Sequence, residues 1–332
     1  MALLLAPGAG FAADYVAYAV VDGHRIPLPR TLAGISDRYL DKVAWGRASG
    51  RPVAVSLDPV TAAVSGDAAA PSETIGRLLD HTLAETGRFR VVAPKLAGTQ
   101  GGHDAVRYRV RATVLDYRAE VGDGGDTGSL EQKVRGLLTR LGVVARHARV
   151  ALKLELLDPV SGSALYERKV GAEARLRAPG PEGDATQPDP ALRQAARAAV
   201  NRGVFALVKE VANRAVKGHV VLVKGSSVYL DLGPRLVGVG DRLRLIAGKR
   251  GAPAPGKAHS KSVHGQQIGV LEIRQVRGHY SVARPVGVSP LQVRRDDRVI
   301  SLDPAAHLHF APRWQPPAPP KKHTDPVLGP AP

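Results

Sequence analysis

The stretch from Pro71 to Pro94, PSETIGRLLDHTLAETGRFRVVAP, decides the fold of the region around it. Five of its residues recur at the spacing that places side chains on one buried face of a helix: Ile75, Leu78, Leu79, Thr82 and Leu83. Ser72 is expected to accept a hydrogen bond from the first-turn amides, and Glu73 to favour the positive end of the helix dipole. Gly87 is expected to end the helix in a left-handed conformation. The apolar residues 89–92 then predict a strand.

The segments on either side extend this helix into an α/β unit. Residues 52–57 (PVAVSL) predict a strand before the helix. Alternating apolar and polar residues predict long, half-buried strands over residues 106–121, 145–157 and 164–176. The turn-forming residues 158–162 (DPVSG) predict a hairpin connection between the last two strands.

A second, longer helix is predicted from Asp189. Asp189 can cap this helix, Pro190 suits its first position, and Gly218 is expected to end it. Its apolar stripe comprises Leu192, Ala195, Ala199, Val200, Gly203, Val204, Leu207, Val208 and Val211. From His219 onwards, short strands follow one another at close spacing, which favours a small β-barrel or sandwich.

These patterns predict an α+β or α/β protein whose chain divides into five segments. They are a secretory signal (1–13), a lead-in segment (14–50), an α/β domain (51–216), a small all-β, barrel-like module (217–303) and a proline-rich tail expected to be disordered (304–332). Residues 37–45 of the lead-in are available to pack onto the α/β domain. The signal segment predicts export to a bacterial periplasm.

The composition of the chain is strongly basic and lacks cysteine. Lys and Arg number 47 against 30 Asp and Glu, a net charge of +17. This excess indicates an anionic neighbour, such as nucleic acid, anionic lipid or another acidic polymer, or else the amino-acid usage of a GC-rich genome. Only 4% of residues are aromatic, and the arginines on strand positions favour a solvated sheet face: Arg107, Arg109, Arg111, Arg146 and Arg149. The absence of cysteine excludes disulfides and thiolate catalysis.

Few residues indicate chemistry. Phosphate-loop, dinucleotide-binding, zinc-protease and serine-hydrolase motifs do not occur in the sequence. Residues 238–241 predict a glycine turn between strands, and Asp123 and Asp126 favour a solvated turn over a calcium site, which needs six or more oxygen ligands. Zinc would require three histidines to converge from His259, His264, His279, His307 and His309. We therefore predict no enzyme, and no catalytic, cofactor-binding or metal-binding residue.

The order of these elements resembles the curli-production secretion component (CsgG) family, whose fold is an anticodon-binding-like α/β sandwich. The resemblance rests mainly on residues 86–92 (TGRFRVV) and on the hairpin residues 157–162 (LDPVSG). Residues 218–243 and 268–287 are similar to the C-terminal β-module of the flagellar assembly protein FlgT. Together the two resemblances cover residues 51–303.

The resemblance implies a non-catalytic periplasmic protein that supports assembly or secretion of a curli- or flagellum-like surface structure. Such a protein would bind envelope proteins or the cell-wall polymer, with homo-oligomers and peripheral outer-membrane contact left open, and would need no cofactor. One alternative is an oligomeric outer-membrane channel of the curli type. A channel would need aromatic and Asn residues in the loop 58–70 and apolar hairpins over residues 119–144 and 170–188. A weaker alternative is a basic nucleic-acid-binding protein.

Overall fold

A computed structural model describes most of the chain, namely residues 15–48, 52–63, 69–93, 106–121, 143–179, 189–248, 265, 267–287, 289–302 and 308–317. These residues form a mixed α+β protein that is dominated by sheets and includes a small six-stranded barrel. The sequence-based prediction of a mixed fold with a barrel-like module is therefore confirmed. The features particular to the curli family stay a prediction.

The central sheet has the strand order β6-β4-β7-β8-β9. Its strands are β4 (Val53–Leu57), β6 (Phe89–Val91), β7 (Tyr108–Val121), β8 (Val143–Leu157) and β9 (Ala164–Pro179), with a short β5 (Thr61–Ala62) beside β7. Strand β4 runs parallel to β6 and β7, whereas β8 runs antiparallel to both β7 and β9. Leu152, Leu154 and Leu156 are fully buried on one face. Because side chains alternate along a strand, Lys153 lies on the opposite face.

Helix α2 (Ala69–Glu85) is the helix of the Pro71–Pro94 stretch, and it packs on the buried face of the sheet. It begins earlier than predicted, so Ser72 lies inside the first turns and the N-cap assignment to Ser72 is wrong. The reason is that Ala69 and Ala70 are strong helix formers, and Pro71 is tolerated this close to a helix start. Gly87 ends the helix as predicted, with φ of +62° and its N–H donating to the Ala84 carbonyl at 3.0 Å.

Helix α3 (Pro190–Asn213) begins as the sequence predicts, because the Asp189 carboxylate accepts hydrogen bonds from the first amides of the helix. Burial raises the pKa of Asp189, but hydrogen bonds from Arg146, at 2.6 Å, and from those amides bring the pKa below its usual range. The predicted end at Gly218 is wrong, since the helix ends at Asn213 and Gly218 lies in the first barrel strand. A Cβ on Gly218 would lie 2.6 Å from Leu232, so close packing explains this glycine.

More of helix α3 is buried than the predicted apolar stripe. Its fully or nearly fully buried residues also include Ala191, Ala196, Ala198, Asn201 and Phe205. The sheet covers one side of the helix, while the lead-in segment and a C-terminal segment cover others. Helix α3 is therefore the centre of the domain.

The lead-in segment is part of the domain core. It forms a three-stranded sheet of order β2-β1-β3, from β1 (Ala17–Val21), β2 (His24–Pro27) and β3 (Val43–Trp45), with a short helix α1 (Asp37–Leu40). Leu40 is fully buried, and its carbonyl accepts a hydrogen bond from the Asn201 side chain at 2.7 Å. The prediction that residues 37–45 pack onto the α/β domain is confirmed by this contact.

Residues 308–317, which we call the C-terminal segment, return to the lead-in sheet. The His309 carbonyl accepts a hydrogen bond from the Val16 N–H at 2.9 Å, and the Ala311 N–H donates to the Leu28 carbonyl at 3.0 Å. The Trp314 ring lies 5.4 Å from that of Tyr39. The prediction of disorder is therefore wrong for these residues, because apolar side chains of the segment pack against the domain core and offset the entropy of ordering it.

The barrel contains strands β10 (Lys217–Lys224), β11 (Ser227–Leu230), β12 (Arg242–Ile246), β13 (Gln267–Val276), β14 (Ser281–Val286) and β15 (Arg298–Ser301). They close in the order β10-β11-β14-β13-β12-β15, with every neighbouring pair antiparallel. A separate apolar cluster fills the interior, and it includes Val220, Val228, Leu230, Leu243, Leu245, Leu271, Ile273 and Val299. Among the described helices, none is long and apolar enough to span a membrane.

Candidate functional site: a cationic groove beside the central helix

A groove of about 450 Å³ runs between the C-terminal half of α3, the middle of β9 and the loop of residues 30–33. Its charged lining comprises Arg30, Arg168, Lys169, Arg202 and Lys209, with Glu210 as the acidic member. These residues lie far apart in the sequence, and the packing of the lead-in against α3 and β9 brings them together. The volume lies within the range of about 300–1,000 Å³ that small-ligand sites occupy.

Arg202 holds one wall of the groove in place. Its Nε and Nη2 donate to Oδ1 of Asp37 at 3.0 and 2.6 Å, and Nη2 also donates to the Ile35 carbonyl at 2.8 Å. Only about a fifth of each charged side chain is exposed, 22% for Arg202 and 19% for Asp37. Because Asp37 neutralises its charge, Arg202 positions the loop and leaves little net charge for a ligand.

Arg30, Arg168 and Lys209 carry positive charge on the side of the groove next to helix α3. The Lys209 Nζ donates to the Arg30 carbonyl at 2.7 Å. Burial, and then the positive charges of Arg30 and Arg168, lower the pKa of Lys209 below its usual range. Within the described ranges, no carboxylate forms an ion pair with Arg30, Arg168 or Lys209, and the nearby Glu210 pairs with Arg214 at 2.7 Å. We call Arg30, Arg168 and Lys209 the cationic triad.

Aromatic rings form the support of the groove. The Lys209 Nζ lies 5.9 Å from the centre of the Phe205 ring, which is itself buried. Phe205 packs edge-to-face with Phe310 of the C-terminal segment, with ring centres 5.8 Å apart. Burial raises the pKa of Tyr166, while the nearby charge of Arg168 opposes that shift. The triad therefore lies over an apolar base, where electrostatic interactions are stronger than in bulk water.

Comparison with known proteins yields only distant structural similarity, since no protein-family model and no curated protein matches the chain. PelC from Paraburkholderia phytofirmans, a dodecamer, is 15% identical, with 48% of this chain and 90% of that chain covered and a TM-score of 0.28. A lipoprotein from Neisseria meningitidis is 17% identical, with 49% and 100% covered and a TM-score of 0.23. A minor lipoprotein from Acinetobacter baumannii is 14% identical, with 48% and 92% covered and a TM-score of 0.24. Such low scores support no inference about this chain.

The structure does not bring together the described residues that were considered for metal binding. His279 lies beside the barrel strands and His309 lies in the C-terminal segment, while His259, His264 and His307, with Asp123 and Asp126, lie outside the described residues. No group of three or more His, Asp or Glu suited to a metal ion occurs in the described part of the chain.

Residues 238–241 form the predicted turn, in which the Gly238 N–H donates to the Asp241 carboxylate at 2.7 Å.

Of the five arginines predicted for a solvated sheet face, Arg109, Arg111 and Arg149 pair with carboxylates, whereas the prediction is wrong for Arg146, which lies on the helix face and binds Asp189. Arg109 donates to both carboxylate oxygens of Asp58 at 2.9 Å, and Arg149 lies 3.4 Å from Asp116. Such pairing reduces the charge available to nucleic-acid phosphates. The groove therefore offers an anion more unpaired positive charge than these strands do.

The two stretches that a curli-type channel would place in lipid carry exposed charges where the structure describes them. Glu120 and Glu173 have side chains that are 61% and 49% exposed. An outward face in a membrane barrel is apolar, and charges there are costly. These charges do not favour the channel alternative, and the remainder of both stretches lies outside the described residues.

No signal in the sequence marks the triad as a site. Arg30 follows a proline-containing extended segment, Arg168 is one of several alternating charges on a strand, and Lys209 sits in the last turns of a helix. Each position alone suits a solvated surface residue. Only the packing of three distant elements shows that the charges meet.

Proposed function

We propose that this chain is a non-catalytic binding protein of the bacterial cell envelope, which supports assembly or secretion of a surface structure. In this proposal the groove holds an anionic group of a partner protein or of the cell-wall polymer. The observation that carries the binding role is the placement of Arg30, Arg168 and Lys209 in one groove, where no carboxylate of the described residues forms an ion pair with them. The envelope role is supported by the resemblance to the curli family.

Electrostatics explains why the groove favours an anion. Like charges that share a partly buried site repel one another, and burial together with this repulsion lowers the pKa of Lys209. A carboxylate or phosphate between them would relieve it, and guanidinium groups can bind such anions through two hydrogen bonds at once. The binding free energy therefore comes from charges that the folded protein already holds together.

Isothermal titration calorimetry with tripolyphosphate at low salt tests the binding role. The groove variant replaces Arg30, Arg168 and Lys209 by alanine, and the control variant replaces three exposed barrel arginines, Arg284, Arg295 and Arg298. Both variants lose the same net charge. At about 1 kcal/mol for each charge pair near 4 Å in water, we expect the groove variant to bind at least tenfold more weakly.

The control variant is expected to bind within twofold of the wild type. Equal weakening in both variants would show that tripolyphosphate responds to overall charge, and would refute the groove as the site. Salt provides a second check, because binding through exposed charges weakens as ionic strength rises.

Cell fractionation tests the envelope role separately. We expect the protein in the periplasmic or outer-membrane fraction, and recovery from the cytosol alone would refute this part of the proposal. Turnover of envelope polymers by the purified protein would refute the non-catalytic part.

A further inference from the structure

The groove contains an open edge of the central sheet. Strand β9 is the last strand of the sheet and pairs only with β8 among the described strands. Two side chains bound the part of this edge that lies in the groove. The Asp37 carboxylate accepts from the Glu173 N–H at 2.7 Å, and the Arg214 guanidinium donates to the Leu165 carbonyl. The protein itself therefore satisfies the edge at Leu165 and at Glu173.

Between Leu165 and Glu173, the outward backbone groups of β9 have no partner among the described residues. The pairing of β8 with β9 is regular from Tyr166 onwards, and in a regular strand alternate residues direct both backbone groups to the same side. Because the Glu173 N–H points away from β8, the N–H and C=O groups of Glu167, Lys169 and Gly171 point the same way. Within the part of the chain that the structure describes, these groups have no protein partner.

The triad lies on one side of this free backbone. Arg168 pairs across the sheet with Leu154, which is fully buried, so its side chain lies on the face that carries helix α3. Lys169 pairs with Lys153 on the opposite face. Lys169 and Gly171 line the same groove as the triad. An added strand would thus direct every second side chain towards Arg30, Arg168 and Lys209.

We propose that the occupant of the groove is an extended acidic peptide segment of a partner protein, which adds to the sheet as a strand beside β9. Its backbone pairs with Glu167, Lys169 and Gly171, and one acidic side chain meets the cationic triad. The free edge spans five residues, or roughly 17 Å of extended chain. Main-chain hydrogen bonds supply affinity in such complexes and the side-chain site supplies selectivity. The inference rests on the proposed function, because it names the partner class of the same groove.

The test uses a capped octapeptide of alternating glutamate and valine, together with a counterpart whose alternate amides are N-methylated. Both peptides carry the same charge, but the second cannot form a continuous ladder. Binding of each to the full-length protein is measured by fluorescence anisotropy, and protection of individual amides by hydrogen exchange with NMR detection. We expect the unmodified peptide to bind at least tenfold more tightly and to slow exchange at Glu167, Lys169 and Gly171.

Two variants separate the backbone from the side chain. Lys169→Pro removes one outward N–H and leaves the ladder to β8 intact, since proline is tolerated where a strand N–H points away from the sheet. Lys169→Ala keeps the N–H and removes the side chain. Both variants lose the Lys169 charge, so we expect Lys169→Pro to bind the octapeptide at least tenfold more weakly than Lys169→Ala does. If Lys169→Pro does not fold, the comparison of the two peptides decides.

The outcomes distinguish this inference from the proposed function. Equal binding of the two peptides without protection of the β9 amides would overturn strand addition. If the groove variant then binds neither peptide, the groove would still be an anion site. Failure of both peptides to bind, with tripolyphosphate still bound in the groove, would also overturn strand addition. Failure of all three probes would overturn the groove proposal as well.

Discussion

Asp37→Ala tests whether one carboxylate holds the wall of the groove. Asp37 accepts two hydrogen bonds from Arg202 and one from the Glu173 N–H. Removal of one partner from a fully buried ion pair costs about 3–5 kcal/mol. Because about a fifth of each side chain is exposed and Arg202 keeps the Ile35 carbonyl, we expect a smaller loss of about 2 kcal/mol in the free energy of unfolding. In a domain of this size that loss lowers Tm by about 4–8 °C.

Urea denaturation followed by circular dichroism measures this loss, with Asp80→Ala as the control. Asp80 is an exposed carboxylate on helix α2, and a surface change of this kind is expected to stay within about 0.5 kcal/mol. A double-mutant cycle with Arg202→Met should give a coupling of about 1–2 kcal/mol. A loss in Asp37→Ala no larger than in Asp80→Ala, or a coupling near zero, would show that the pair does not anchor the loop.

Three further predictions concern the elements that position the groove. Asp189→Ala removes the cap of α3 and should cost about 1–2 kcal/mol by urea denaturation. The pKa of Asp189 is lowered in the folded state, so its ionised carboxylate stabilises the fold fully above the usual carboxyl pKa of about 3.9. This stabilisation is lost as the pH falls further. The wild type should therefore lose more stability in acid than Asp189→Asn. Gly203→Ala places a Cβ 2.1 Å from a Leu154 methyl and should lower the free energy of unfolding by about 1–3 kcal/mol. The control Gly278→Ala has open space around its Cβ and should be near neutral. Equal melting temperatures of the two variants would contradict this prediction. Phe310→Ala removes the ring contact to Phe205, so it should lower the free energy of unfolding by about 2 kcal/mol and change the fluorescence of Trp314. An unchanged spectrum and Tm would show that this contact does not hold the C-terminal segment.

Local patterns were sufficient to predict most elements of the α/β domain. The alternation around Leu152 and Leu154 and the turn after Leu157 specify a hairpin through side-chain period and turn chemistry alone. The cap at Asp189 and the left-handed Gly87 are likewise local features. Element boundaries were less accurate, as Ser72 and Gly218 show. At Gly218 the deciding interaction is a contact with Leu232, which lies on another part of the barrel and leaves no local signal.

The long-range features could not be predicted for the same reason. The order of residues 308–317 depends on contacts with residues near the start of the chain, such as Val16 and Leu28. The groove depends on those contacts too, because the lead-in carries Arg30 to the face where Arg168 and Lys209 lie. A basic composition predicted an anionic neighbour but could not say which of 47 cations would meet.

The pKa of Lys209 is the measurement that tests the central claim most directly. It can be followed by NMR of the lysine side chain, with and without tripolyphosphate. If the triad is held together without a neutralising carboxylate, the pKa lies below the usual lysine value of about 10.4 and rises when the anion binds. In Arg30→Ala and Arg168→Ala the pKa of the free protein should move up towards that value. A pKa at or above the usual value in the free protein, unaffected by tripolyphosphate, would contradict the cationic groove.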